Sequence, residues 1–415
     1  MKRSSVSSCD TSHYPKEGPW ELPEGWCWTT IGDCLINRDG ERIPISSEIR
    51  IKQKNKVFDY YGAAGVIDKV DDYLFNERLL LIGEDGANLL SRAKDNAFFA
   101  EGKYWVNNHA HILDATRKPL LDYIALYINS IALDPYITGS AQPKLNQDNL
   151  NRIPVPLPPF MEQLRIIDSM AKSQVIIDII AEKQKEIVNA ISLAKSKILD
   201  LAIHGKLVPQ DPSDEPAIEL LKRINPGFRP SDNLHYEGEL PSGWQLCHIQ
   251  DIAAAELGKT LDKGKNQGEE KPYLCALNVK WESFDFSTIK TIKIEEKEKT
   301  RYRLLPGDLL VCEGGDVGRS AIWKESVEMY YQNALHRVRF KEGVSPDFYL
   351  YVLRYYKSSG VIDEICKGVT IKHFTGQVFN SIDLPVPPVA EQQRIVAKIK
   401  TLFSALEEIQ AGLDA

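Results

Sequence analysis

The sequence has no run of about 18 uncharged apolar residues, and its opening stretch, Met1 to Trp20, is polar with no apolar signal-peptide core. A soluble, cytoplasmic protein is the expectation. Cysteine is sparse: seven residues (Cys9, Cys27, Cys34, Cys247, Cys275, Cys312, Cys366) are scattered with no CxxC or paired-ligand spacing. That pattern excludes a disulfide framework, argues against a zinc site and fits a reducing compartment. An excess of positive charge is also missing, since 51 basic residues face 58 acidic ones for a net charge of -7. A protein that coats nucleic acid indiscriminately is therefore excluded, and any DNA contact has to come from local patches. With 43% hydrophobic and 26% charged residues the chain is globular. At roughly 150 residues per domain, its 415 residues make two or three domains, each able to bury an ordinary core.

What is present is a long internal repeat. Leu22-Pro23-Glu24-Gly25-Trp26 recurs as Leu240-Pro241-Ser242-Gly243-Trp244, with Ile31 and Asp33 answered by Ile249 and Asp251, all at a shift of 218. His13-Tyr14 is echoed by His235-Tyr236. Further on the shift is 229, matching Leu80-Leu81-Ile82, Glu84 and Gly86 with Leu309-Leu310-Val311, Glu313 and Gly315. It slips to 225 where Asn108-x-x-His111 meets Asn333-x-x-His336. From Gly139/Gly368 it returns to 229 and holds through Ile153/Ile382, Pro158/Pro387, Glu162/Glu391, Gln163/Gln392, Arg165/Arg394 and Ile166/Ile395.

Each copy reads as an α+β domain followed by a helix. Short β-branched and aromatic runs such as Tyr104-Trp105-Val106 and Arg337-Val338-Arg339-Phe340 alternate with Gly, Asp and Asn turns, while Leu120 to Ile131 and Phe348 to Tyr356 carry helical patterning. The proline clusters Ile153 to Pro159 and Leu384 to Pro388 suit neither a helix nor a central strand and form stiff exits. After them the period becomes heptad: Ile166, Met170, Ser173, Ile177, Ile180, Gln184, Ile187, Ile191, Ala194, Ile198 and Leu201, then Ile395, Ile399, Leu402, Leu406, Ile409 and Leu413. The expected organisation is a polar segment at 1–20, a first domain at 21–158, a coiled-coil spacer helix at 159–206, a linker at 207–238, a second domain at 239–388 and a shorter helix at 389–415.

Motifs of catalysis are incomplete. Gly258-Lys259-Thr260 ends like a phosphate-binding loop, but Ala253 stands where its first glycine belongs. Asn225-Pro226-Gly227-Phe228 is similar to the base-holding loop of amino-methyltransferases, with glycine in place of the second proline and no glycine-rich strand upstream. It reads as a turn. Asp308, Glu313 and Asp316 stand near Arg319, yet Arg78 occupies the position matching Asp308 and no lysine completes a nuclease-like set. A glycine-rich turn aiming Arg319 outward is the reading there. His109, His111, His336 and His373 share no ligand spacing, and no serine or cysteine has an identifiable base partner.

Recognition chemistry remains. Lys52, Lys54 and Lys56 alternate along a run ending in Phe58, Tyr60 and Tyr61, as do Arg301/Arg303 and Arg337/Arg339 around aromatics. In a strand, such alternation places the charges on one face, where they meet phosphates while loop side chains read base edges. The paired loops Gly139 to Lys144 and Gly368 to His373 place polar and basic groups at one position of both copies. Candidate DNA-binding residues are Lys52, Lys54, Tyr60, Tyr61, Asn108, Gln142 and Lys144 in the first copy, and Arg319, Asn333, Arg337, Thr370, Lys372 and His373 in the second.

Taken together, the motifs resemble the specificity subunit of type I restriction-modification systems, and the resemblance covers essentially the whole chain. They are Leu-Pro-x-Gly-Trp opening each domain, Tyr60-Tyr61-Gly62 to Gly65, Gly83-Glu-Asp-Gly86-Ala-Asn88, Gly307-Asp308-Leu-Leu with Gly315-Asp-Val-Gly318-Arg319, the Pro-Pro-x-x-Glu-Gln-x-Arg-Ile junctions, and Ala202-Ile-His-Gly205-Lys206-Leu207. The resemblance implies two target-recognition domains reading the halves of a bipartite DNA sequence, with the helices as the ruler between them. It implies no catalytic centre and no cofactor in this chain. S-adenosylmethionine belongs to separate methyltransferase (modification) subunits, ATP and magnesium to a motor-nuclease (restriction) subunit. Glu162, Gln163, Arg165, Glu391, Gln392 and Arg394 are the expected partner-binding residues. The second helix stops at Ala415, which leaves the stoichiometry of the methyltransferase subunits open. Two other classes stay open at this point: an autonomous adenine methyltransferase and an interaction scaffold that binds no DNA.

Overall fold

The computed structural model describes residues 19–139, 142–230, 239–262, 264, 266–366, 374–380 and 382–414. The chain divides into two compact units, Met1–Ala181 and Glu182–Ala415, the division falling inside one continuous helix.

In the first unit the central sheet is antiparallel in the order Ile36–Asn37, Ala110–Asp114, Leu79–Gly83, Ala97–Ala100. Leu79–Gly83 is buried along its whole length, and its period of two splits it between two cores. Leu80 and Ile82 pack with Leu113, Leu121 and Ile124 beneath the helix Pro119–Ser130, whereas Leu79 and Leu81 pack with Phe75, Tyr104 and Ile112 under a second sheet. That sheet runs Gly65–Val70, Phe58–Gly62, Lys103–Val106, Phe75–Asn76, with a parallel pairing of Tyr60 to Trp105 at its centre. A continuous apolar strand covered on both faces is the arrangement its sequence Leu-Leu-Leu-Ile dictates.

The second unit repeats this plan. Ala253–Leu257, Leu335–Phe340, Leu309–Cys312 and Ser320–Ile322 follow the same order. Leu309 and Val311 face the core beneath the helix Pro346–Ser358, and Leu310 and Cys312 face the other core. The second sheet again holds a parallel pair, Tyr273 to Tyr330, beside Lys290–Ile294. The pairs Ile82 to His111 and Val311 to His336 occupy equivalent places, so the sequence repeat is a structural one.

The proline clusters form edge strands of two-stranded ribbons. Pro154–Leu157 pairs antiparallel with Cys27–Thr30, and Asp383–Val386 with Gln245–His248. Pro154 and Pro156 are two apart and turn the same way, so their carbonyls point off the ribbon and accept the hydroxyls of Tyr127 (2.7 Å) and Tyr123. Tyr356 and Tyr349 donate likewise to Asp383 (2.7 Å) and Pro385 (3.3 Å).

The helix Phe160–Ile203 has 44 residues and is about 66 Å long at 1.5 Å per residue. Gly205, at φ +64, ends it, and Lys206 N–H closes on Leu201 C=O at 2.7 Å. Its heptad pattern is covered unevenly. Ile191, Leu199, Ala202 and Ile203 are buried, whereas residues 168–190 are exposed on every side. In the second unit the C-terminal helix Val389–Asp414 buries Ile395, Ile399 and Phe403. Phe403 takes the core position expected for Leu402, because its ring packs edge-on against Tyr351. Lys195 bonds to Glu407 at 2.8 Å, and Gln184 Nε2 donates to the Leu413 carbonyl at 3.3 Å.

The stretch expected to be a linker is partly core. Ala217–Ile224 is an amphipathic helix whose Ala217, Leu220 and Leu221 are buried in the second unit, and only the residues up to Pro216 and after Ile224 are loop among those described.

Candidate nucleic-acid interface

In both units the residue that follows the loop expected to carry recognition residues, Leu145 or Phe374, is tied to the central sheet in the same way. Leu145 N–H donates to the Glu84 carbonyl at 2.8 Å, and Phe374 N–H to the Glu313 carbonyl at 2.8 Å. Glu84 N–H reaches the His109 carbonyl (2.9 Å), and Glu313 N–H the Ala334 carbonyl (3.0 Å). A buried histidine completes each tie: His111 Nε2 lies 2.8 Å from the Leu145 carbonyl and His336 Nε2 lies 2.6 Å from the Phe374 carbonyl. The histidines are thus structural, which explains why they share no metal-ligand spacing.

Around this tie the first unit gathers a compact polar cluster. Asn108 is exposed on the turn between the strands Lys103–Val106 and Ala110–Asp114, next to His109, whose Nδ1 lies 2.7 Å from Asp85. Lys144 and Gln142 are exposed, with Lys144 Nζ 3.2 Å from Glu84. Arg42 holds the same Glu84 at 2.7 Å. Burial pushes the Glu84 carboxyl up, but its bonds to Arg42 and Lys144 and the nearby His111 hold it below the usual range. Asp39 is likewise pushed up by burial and held low overall by His111 and the Ile112 N–H. Cations, carboxylates and amides lie side by side here with charges near balance. Such a mixed set suits donor and acceptor readout of base edges better than phosphate coating. His109 and Asp85 are not among the DNA-binding candidates read from the sequence, although Asn-x-x-His and Gly-Glu-Asp were signals for that neighbourhood.

Lys52 and Lys54 are exposed, but the lysine run is not a strand. Ser46 caps a short helix, Ser47–Lys52, by accepting from Ile49 N–H at 3.3 Å, and the strand begins only at Phe58. Tyr60 is a core residue: it is buried, its hydroxyl is tied to both backbone groups of Ile45, and Arg50 stacks on its ring at 4.5 Å. Tyr61 is half-buried against Tyr104 and Phe98.

In the second unit Asn333 is half-buried on the turn equivalent to that of Asn108. Two arginines depart from expectation. Arg319 folds back to donate to the Ala276 carbonyl at 2.8 Å rather than pointing outward. Arg337 is 4% exposed and donates to Glu256 (3.1 Å) and the Arg301 carbonyl (2.7 Å). Its neighbour Arg339 clamps buried Asp308 with two bonds of 2.7 Å, and Arg301 lies on a helix, Glu296–Tyr302, so these alternations brace the domain. Thr370, Lys372 and His373 lie outside the described residues.

The junction residues split by burial. Gln163 and Gln392 are buried and donate to the Pro158 and Pro387 carbonyls (2.8 and 2.9 Å), so both hold the junction together from within. Glu391 is also buried, accepting from Trp244 Nε1 at 2.9 Å, and burial raises its carboxyl pKa. Arg394 pairs with Asp214 at 2.6 Å. Glu162 is half-buried and Arg165 exposed.

The weak motifs resolve as structure. Lys259 is buried on Glu298 (2.6 and 2.7 Å), and a Cβ at Gly258 would lie 2.4 Å from the Gln332 backbone, so no cradle for phosphate exists there. Asn225 accepts from Gly227 N–H in a plain turn. Among the described residues no group of three or more His, Cys, Asp or Glu is placed to hold a metal, and no helix is long and apolar enough to cross a membrane.

A family model described as "Type I restriction modification DNA specificity domain" matches residues 23–189 and again 241–413. The chain belongs to this family. Among curated relatives, a putative type I restriction enzyme specificity subunit of Haemophilus influenzae is 23% identical, covering 92% of this chain and 89% of the relative. The EcoEI specificity subunit of Escherichia coli is 21% identical, covering 96% and 81%. The HsdS subunit of Thermoanaerobacter tengcongensis shares the fold at a TM-score of 0.56 and 16% identity, covering 96% of this chain and 95% of that one. A chain from work on assembly and conformational transition of the type I R-M system shares it at 0.57 and 16%, covering 95% and 96%. The two family matches coincide with the two halves of the repeat. Membership leaves the autonomous methyltransferase and the DNA-indifferent scaffold without support.

Proposed function

We propose that this chain is the DNA sequence-specificity subunit of a type I restriction-modification complex and has no catalytic role of its own. Each domain reads one half of a bipartite double-stranded DNA target, and the 44-residue helix sets the gap between the halves. The observation that carries the reading is the duplicated domain, in which one sheet order and one histidine tie recur in both units. A single protein with two like reading surfaces that differ in their side chains suits a target with two unlike halves.

Lys52, Lys54, Asn108, Gln142 and Lys144 are the DNA-facing residues of the first domain. In the second, Asn333 and the segment carrying Thr370, Lys372 and His373 take that role. Tyr60 and Arg337 support these surfaces from within. Methyltransferase subunits dock on the exposed part of the spacer helix, where Ile176, Ile177 and Ile180 are each more than half exposed. Arg165 and Glu162 extend that surface. S-adenosylmethionine belongs to those subunits, and ATP and magnesium to a motor-nuclease subunit. The cytoplasm is the site of action.

The test is co-expression with the modification subunit in cells free of adenine methylation, followed by mapping of methylated adenines, with each protein alone as a control. Methylation confined to a split motif of fixed gap, and only when both are present, is the expected result. Methylation by this chain alone, or none by the pair, would overturn the assignment.

A further inference from the structure

The two junctions between proline strand and helix have the same geometry but not the same cover. Gly25 and Gly243 sit at φ +86 and +80, and a Cβ on either would lie 3.6 Å from the ring of Pro159 or Pro388. Trp26 and Trp244 N–H each donate to a proline carbonyl, Pro23 or Pro241, at 3.1 Å. In the second unit a segment of the chain lies across this junction. Gly205 turns it off the helix against Pro241, Gln210 donates to Glu391 at 3.4 Å, and Asp214 takes Arg394 with bonds of 2.6 and 3.3 Å. Ala217 N–H then donates to the Gly243 carbonyl at 2.8 Å, and the helix that follows buries Leu220 and Leu221. Trp244 and Glu391 are buried beneath it.

In the first unit the matching residues are open. Arg165, the counterpart of Arg394, is exposed, and neither it nor Glu162 makes a side-chain hydrogen bond or ion pair among the described residues. Trp26 is only half-buried, Gly25 is exposed, and Met161, two residues after Pro159, is 64% exposed. Residues 1–18 contain no leucine or isoleucine, so they do not carry the apolar spacing of Ala217, Leu220 and Leu221. A cation, an aromatic face and a backbone carbonyl are thus arranged as in the second unit, and among the described residues no segment meets them as Gln210 to Leu221 does there.

We propose that the first-unit junction, formed by Gly25, Trp26, Met161, Glu162 and Arg165, is a docking site for an acidic, proline-broken segment that leads into a short amphipathic helix. Its occupant is a partner polypeptide with the chemistry of residues 206–224: a carboxylate for Arg165, an amide N–H for the Gly25 carbonyl, and small and leucine side chains following at helical spacing. Charge and shape complementarity select this occupant, with the second unit as the template, whatever DNA the domains read.

The test uses a fluorescent peptide of residues 206–224 titrated with the full-length protein and followed by anisotropy and by hydrogen exchange. Expected are saturable binding, slowed exchange over residues 20–28 and 158–166, and about tenfold weaker binding to Arg165→Glu, since an attraction becomes a repulsion. A peptide carrying Asp214→Arg should recover binding to that variant, while Arg394→Glu binds the original peptide normally. Arg165 is exposed, so its replacement leaves the fold intact. Absence of saturable binding, or binding indifferent to Arg165→Glu, or loss in Arg394→Glu instead, would each overturn the proposal.

Discussion

His336 Nε2 lies 2.6 Å from the carbonyl of Phe374, in the second domain, with Phe379 stacked on the ring at 4.9 Å. A carbonyl only accepts, so Nε2 carries the proton, and the neutral ring fits a site where almost no water reaches it. In the first domain His111 bonds to the equivalent carbonyl, but its other nitrogen faces Asp39 at 2.5 Å.

Removing the tie should loosen the chain at Phe374. His336→Ala is expected to lower the stability of the second domain by about 1–3 kcal/mol, the cost of an orphaned buried carbonyl, and to speed amide exchange at Phe374. Urea unfolding and hydrogen exchange check this. Unchanged exchange at Phe374 would remove the histidine from the account.

Acidification should weaken the same site. Burial lowers the His336 pKa below its ordinary 6.5, so as pH drops the unfolded chain takes up a proton before the folded one does. The stability this provides is complete above about pH 6.5 and is lost as pH falls through the folded value. Thermal unfolding of wild type and His336→Gln from pH 7.5 downward tests it, with a shallower pH dependence expected in the variant.

Exposed and buried cations should separate in DNA binding. Lys144→Ala is expected to weaken binding and to reduce the slope of log K against log salt by about 1 for one lost phosphate contact, or to relax specificity without changing the slope if the lysine meets a base; its melting temperature stays near wild type. Lys372→Ala should weaken binding with a lower slope. Arg337→Ala should instead destabilise the protein by about 1–3 kcal/mol, since it strips buried bonds from Glu256 and the Arg301 carbonyl. Titrations at several salt concentrations, paired with melting curves, distinguish the cases.

The spacer should tolerate charge where it is bare. Ile177 and Ile180 are 57% and 53% exposed, so the double variant Ile177→Glu, Ile180→Glu is expected to melt within a degree or two of wild type yet fail to co-purify with the modification subunit. Retained assembly would move the docking surface elsewhere.

Gly205 should resist replacement. At φ +64, with a Cβ placed 2.4 Å from Pro241, Gly205→Ala is expected to cost about 1–3 kcal/mol, measurable as a lower denaturant midpoint.

The repeat, the α+β character of each domain and the long helix were all legible in the sequence, because they rest on order and periodicity. Matching strands such as Leu80-Leu81-Ile82 and Leu309-Leu310-Val311 carry the same apolar pattern, and a pattern of period two buried on both faces has few ways to fold. Heptads announced the helix, and Gly205 marked its end.

Which charged side chains are available was decided only by tertiary structure. Arg337 and Lys144 look alike as cations beside polar or aromatic neighbours, but Glu256 and the Arg301 carbonyl come from distant segments and enclose the first, while the second stays at the surface. Lys52 and Lys54 alternate as a strand would, yet Ser46 caps a helix there and breaks the run. Leu402 fits the heptad, and Tyr351 nonetheless draws Phe403 into the core. In each case the deciding partner is remote in sequence, so local pattern fixed the elements while long-range packing and desolvation chose which side chains were left to face another molecule.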